Sequence, residues 1–90
     1  MEKSLKSAEY ARLIGLLVAA RQKAGIRQHG LAKKLGRPQS FVAKYEGGER
    51  RIDLVEFVAI ARAMDTDPLR LLREFLAEKP VRPAKRRPRT

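Results

Sequence analysis

The 90-residue chain has no cysteine and no tryptophan, one histidine, and two tyrosines and three phenylalanines as its only aromatic side chains. Without cysteine there is no disulfide, no thiol nucleophile and no thiolate metal site, and a reducing compartment is the natural home. The one imidazole, His29, stands without a cluster of carboxylates and makes neither a metal site nor a catalytic base. No apolar run reaches the ~18 positions of a membrane span, and the start of the chain lacks the apolar stretch of a secretory signal. Acid is also scarce, with 10 Asp+Glu against 21 Lys+Arg and a net charge of +11. The length bounds the chain to one small domain, and the charge directs attention to an acidic partner.

The charge is unevenly placed. Residues 21–51 carry 9 basic and 2 acidic side chains, residues 52–78 carry 3 and 6, and residues 79–90 carry 6 and 0. Two basic blocks thus flank an acidic one. A solvated surface does not require that pattern, so the shape of the middle block decides its meaning.

Apolar residues recur with helical period from Ser7 to Ala24, at Tyr10, Leu13, Ile14, Leu17, Ala20 and Ala24, with Ser7 as N-cap and Gly25 as terminator. A short helix over 28–35 follows, its stripe Leu31, Ala32 and Leu35 ending at Gly36. Pro38 fits the first position of a third helix, 38–46, which Gly47-Gly48 breaks. Asp53 and Glu56 have the spacing of a capping box and open a fourth helix through Met64, with Phe57, Val58, Ala61 and Met64 inward. Asp67-Pro68 opens a fifth, carrying Leu69, Leu71, Leu72, Phe75 and Leu76. Nothing alternates with period two. The fold expected is all-α, a compact five-helix domain over residues 7–78. From Lys79 the composition turns to prolines and cations, too poor in apolar groups to offset chain entropy, and residues 79–90 are expected to be a disordered basic tail.

On a helical wheel, Pro38, Phe41, Val42 and Tyr45 fall in one arc, and Gln39, Ser40, Ala43 and Lys44 in the opposite one. That division suits a helix that reads DNA, with one side held by the domain and the other offering amide and cationic donors without bulk. Gln can pair bidentately with adenine, and Lys can reach guanine or a phosphate. The helices 28–35 and 38–46 around Gly36 have the length of a helix-turn-helix. A two-helix corner in an ordinary all-helical domain would look similar; the local excess of cations favours the DNA reading.

The run Arg21, Gly25-Ile26, Gln28, Leu31-Ala32, Leu35-Gly36, Gln39-Ser40, Val42, Tyr45-Glu46, Gly48, Ala61, Met64 and Leu71-Leu72 resembles the XRE-type helix-turn-helix family of phage Cro-like and repressor-like regulators. The resemblance implies a five-helix repressor-like domain that binds double-stranded DNA, usually as a homodimer on a two-fold related operator. It implies that Gln28 contacts the phosphate backbone or a base edge, that Gln39, Ser40, Ala43 and Lys44 face the major groove, and that Arg21 and Glu46 form a structural, largely buried ion pair. The family usually carries a hydroxyl residue before the helix 2 Gln and Glu three residues later; Arg27 and Gly30 stand there instead. Helix 2 therefore lacks its capping box, and cap stability is exchanged for positive charge near the phosphates. Arg37 replaces a more usual hydrophobic residue in the turn, as a phosphate or base contact or as a solvated cation. Arg50 and Arg51 grip phosphate or else balance Glu46 and Glu49.

Asp65 and Asp67 fit a left-handed turn and an N-cap rather than paired acids, Gly47-Gly48 is too short for a phosphate loop, and no nucleophile has a base at hand. No enzyme, metal or cofactor is expected. Apolar residues outside the core stripe of helix 1, at Leu16, Val18 and Ala19, and a surplus on helix 5 suggest a homodimer interface, unless they pack against the start of the chain. The expected function is a sequence-specific transcriptional regulator, acting most simply as a repressor, in the cytoplasm with the nucleoid and away from membranes. The alternatives are an antitoxin-like module with a protein partner and autoregulatory DNA binding, and a nonspecific nucleic-acid binder driven by charge.

Overall fold

Most of the helix boundaries fall where orphan backbone groups find partners. In the computed structural model, which describes residues 7–77, the order is α1 (Ala8–Lys23), α2 (Gln28–Leu35), α3 (Gln39–Glu46), α4 (Leu54–Ala63) and α5 (Pro68–Ala77). There is no strand among the described residues. Ser7 Oγ accepts the Tyr10 amide at 3.0 Å to start α1. At α4 the Asp53 carboxylate accepts the Glu56 amide at 2.7 Å while the Glu56 carboxylate accepts the Asp53 amide at 3.0 Å, the reciprocal cap expected from their spacing. The Asp67 carboxylate accepts the Leu69 amide at 3.0 Å and so caps the start of α5.

Four of the exits share one closure, in which the residue after a left-handed position donates its amide back across the last turn. Ile26 donates to the Arg21 carbonyl behind Gly25, Arg37 to Ala32 behind Gly36, Glu49 to Lys44 behind Gly48, and Thr66 to Ala61 behind Asp65. The left-handed residues have φ of 73°, 70°, 80° and 57° respectively, and Asp65 is the one of the four with a side chain. Pro38 lies one residue outside α3 rather than within it, in extended conformation with φ −68° and ψ 154°. Its carbonyl nevertheless accepts the Phe41 amide at 3.0 Å, so the ring still sets the direction in which α3 leaves the turn.

The core draws on all five helices: Tyr10, Ile14 and Leu17 from α1, Leu31 and Ala32 from α2, Phe41, Val42 and Tyr45 from α3, and Phe57, Ile60 and Ala61 from α4, with Met64 and Leu71 closing the far side. α2 packs on α3 and α4, and α1 on α3 and α5. The apolar surface expected on helix 1 is smaller here, and the surplus expected on helix 5 is present. Leu16 and Val18 of α1 are half-buried within the monomer, and Ala24 is exposed. On α5 Leu71 is buried, whereas Leu69 and Leu76 are each 63% exposed, because a ten-residue helix lying on α1 and α4 can bury only one side. Leu54 and Val55 at the start of α4 add to that exposed apolar surface. Residue 78 and the basic tail 79–90 lie outside the described residues.

Candidate nucleic-acid interface

α3 is held to the domain by three side chains. Val42 and Tyr45 are fully buried and Phe41 is 7% exposed, its ring meeting that of Tyr45 edge-on at 5.4 Å between centroids. Burial, reinforced by the neighbouring Glu46 carboxylate, raises the Tyr45 phenol above its ordinary range, so the group stays neutral. The opposite side of the helix carries Gln39, Ser40, Ala43 and Lys44, all exposed. Gln39 and Ser40 occupy the first turn, where free backbone amides and the positive end of the helix dipole also lie. A polyanion approaching this end meets backbone amides and two side chains that can each donate.

The far end of α3 is fixed by an ion pair. Arg21 Nε donates to Glu46 Oε2 at 2.7 Å and its Nη2 to Oε1 at 3.1 Å, while Nη1 donates to the Ile26 carbonyl at 2.8 Å. The side chains are 12% and 6% exposed, so α1, the α1–α2 turn and α3 share one largely buried junction. Gln28 joins it, donating Nε2 to Glu46 Oε1 at 2.8 Å. A carboxylate can only accept, so the amide must turn its nitrogen inward; its carbonyl oxygen and second N–H remain. Gln28, read from the sequence as a DNA contact, is thus half-buried and anchored at one donor in the free protein.

The three arginines around α3 also have intramolecular partners. Arg37, in the turn before α3, lies over the Phe41 ring with its guanidinium carbon 4.2 Å from the centroid, and reaches Glu56 Oε2 at 3.3 Å. Arg50, in the loop after α3, lies 4.8 Å from the same centroid. It grips Glu56 with Nη1 at 3.1 Å and Nη2 at 3.0 Å and also donates to the Arg51 carbonyl at 2.7 Å. Its anionic partner is therefore Glu56, not Glu46 or Glu49. Arg51 stacks on Tyr10 at 4.2 Å. Glu56 emerges as a member of this arginine cluster that its sequence position disguised, since it reads there only as the far member of a helix cap. The Arg50 hydrogen bonds, then the Asp53 amide, lower its carboxyl to about 2.

Arg27 precedes α2 at the N-cap position without a side-chain cap, and Arg27 and His29 are exposed on either side of Gln28. Among the described residues no cluster of three or more His, Asp or Glu is arranged to hold a metal ion, and no helix is long and apolar enough to cross a membrane.

This geometry agrees with known proteins. Residues 17–71 match a family model described as Helix-turn-helix. The chain is also 51% identical to a solved structure of an XRE-family like protein from Pseudomonas syringae pv. tomato str. DC3000, with a TM-score of 0.78, over 81% of this chain and 89% of that one. No curated protein matches.

Proposed function

This chain belongs to the XRE-type helix-turn-helix family of DNA-binding regulators, and we propose that it acts by seating α3 in the major groove of an operator. The observation that carries this reading is the two-sidedness of α3, with Phe41, Val42 and Tyr45 buried beneath an exposed row of Gln39, Ser40, Ala43 and Lys44. Such a helix can enter a groove without any loss of core packing. Gln39, at the positive end, suits bidentate pairing with adenine, and Lys44 suits guanine or a phosphate. Gln28, held by Glu46, offers one acceptor and one donor side by side, the pair an adenine edge can use, while its free N–H alone can serve a phosphate. Arg37, Arg50 and Arg51 supply phosphate contacts that fix register.

We propose a homodimer as the working form. The exposed Leu54, Val55, Leu69 and Leu76 support it, since a small monomer seldom leaves so many large aliphatic groups in water. Two-fold pairing would place two copies of α3 one turn of DNA apart, ~34 Å. Occupying an operator in this way excludes polymerase, so the simplest regulation is repression. Selection of bound sequences from a random duplex library tests the reading: it should yield a two-fold related site, whereas enrichment of no sequence would favour charge-driven binding. Sedimentation at micromolar concentration tests the dimer, and a strict monomer with and without the selected duplex would remove it.

A further inference from the structure

We infer that Glu56 is a positioning residue that sets DNA specificity: its one carboxylate holds Arg37 and Arg50 beside α3 as a two-pronged fork for a backbone phosphate, and withholds both from indiscriminate binding. The inference rests on the DNA-binding reading above.

Arg37 and Arg50 come from opposite ends of α3, one from the turn before it and the other from the loop after it. They nevertheless meet the same oxygen, Glu56 Oε2, at 3.3 and 3.0 Å. Both guanidiniums also lie against the Phe41 ring, which α3 buries. The ring supplies a flat support attractive to cations, and the carboxylate fixes where on it the cations rest. The arrangement is layered. The arginine side chains are 42% and 39% exposed while Glu56 is 15% exposed, so a phosphate meets the cations before the anion behind them. A guanidinium has five N–H donors; the contacts of Arg37 and Arg50 within the protein leave donors on each for a further acceptor.

Bracing has two consequences for a duplex. A fork held in one place satisfies a phosphate only when the rest of the domain is docked in register, so its contribution is full in the specific complex and partial elsewhere. In a loosely docked complex each phosphate must instead compete with Glu56 for the same donors. Freed of Glu56, two long cationic side chains could follow any backbone, and nonspecific affinity would rise.

The test uses the full chain, fluorescence anisotropy with a selected and a scrambled duplex over a salt series, and the Tm of each variant. Glu56→Gln removes the charge and leaves a residue that can still complete the cap of α4. The ratio of selected to scrambled affinity should fall about fivefold, the scale of one partly exposed ion pair, through tighter scrambled binding with a steeper salt dependence. Adding Glu56→Gln to Arg37→Gln/Arg50→Gln should leave the ratio of that double variant unchanged. Arg50→Lys keeps the charge, cannot form the two-point bond to Glu56 and leaves the cap intact; it should lower the ratio in the same direction. Equal tightening on both duplexes, an undiminished effect without the two arginines, or an unchanged ratio in Arg50→Lys overturns the inference while the DNA reading stands. A wild-type protein with no preference for any duplex removes both.

Discussion

Arg21 and Glu46 join the last turn of α1 to the last residue of α3 through two charge-assisted hydrogen bonds, and the same carboxylate takes the amide of Gln28. Three helices therefore depend on one largely dehydrated pair. Replacing such a pair by apolar groups can be neutral, but removing one member strands the other charge. Arg21→Ala is expected to lower stability by about 3 kcal/mol, and with it Tm by more than ~10 °C in a domain of this size. Thermal unfolding checks this, and a change within a degree or two would mean that Glu46 rehydrates freely.

The uncapped start of α2 makes a second expectation. A Cβ built on Gly30 meets only Ile26 Cγ2, at 3.5 Å, an ordinary contact, so a side chain fits there. Arg27→Ser with Gly30→Glu would restore a reciprocal cap and remove a helical glycine, each worth roughly 1 kcal/mol. Tm should rise. The same pair of changes removes one positive charge and adds one negative charge beside Gln28, and duplex affinity should fall about threefold or more at moderate salt. Tighter binding by the more stable protein would contradict the exchange of cap stability for charge.

Asp65 and Gly36 occupy the same left-handed closure with opposite side-chain demands. Asp65→Gly relieves a side chain from that conformation and should add about 0.5 kcal/mol or slightly more. Gly36→Ala imposes it, at about 1 kcal/mol, in the turn that aims α3. Denaturant midpoints of the two variants should therefore move in opposite directions, and DNA affinity should suffer only in the second.

Glu56 confers a defined acid sensitivity. Its carboxyl lies at about 2 in the folded protein against an ordinary 4.5, chiefly through the Arg50 hydrogen bonds. As pH falls the unfolded chain takes up the proton first, so the stabilisation is complete above about 4.5 and fades as pH descends toward 2. Glu56→Gln should have a lower Tm than wild type at pH 6, and the gap should close on acidification. A gap of constant size between pH 6 and pH 2 would show that the carboxylate charge contributes nothing.

The five helices were legible because their punctuation is local. Ser7, Gly25, Gly36, the Asp53 and Glu56 cap and Asp67-Pro68 each solve a hydrogen-bond problem within a few residues. The two faces of α3 were legible for the same reason. Which apolar residues of α5 are covered was not, since an apolar stripe records which residues could be covered and not how much of a neighbour is present to cover them. The arginine fork was hidden more deeply. Arg37, Arg50 and Glu56 meet only after the α2–α3 turn and the α3–α4 loop have folded to the same side of Phe41, and no spacing in the chain encodes that meeting. Gln28 reads from the family resemblance as a backbone or base contact, and its bond to Glu46, at the far end of α3, is likewise encoded in no spacing.

Gln39 and Lys44 are expected to read base edges from a helix whose other side is core. Binding of wild-type, Gln39→Ala and Lys44→Ala proteins to the selected duplex and to single-base variants of it measures this directly. Each alanine variant should keep the wild-type Tm and lose about 1–3 kcal/mol of discrimination at one or two base positions only. An unchanged preference at every position, with both proteins folded, would place sequence reading elsewhere on the molecule.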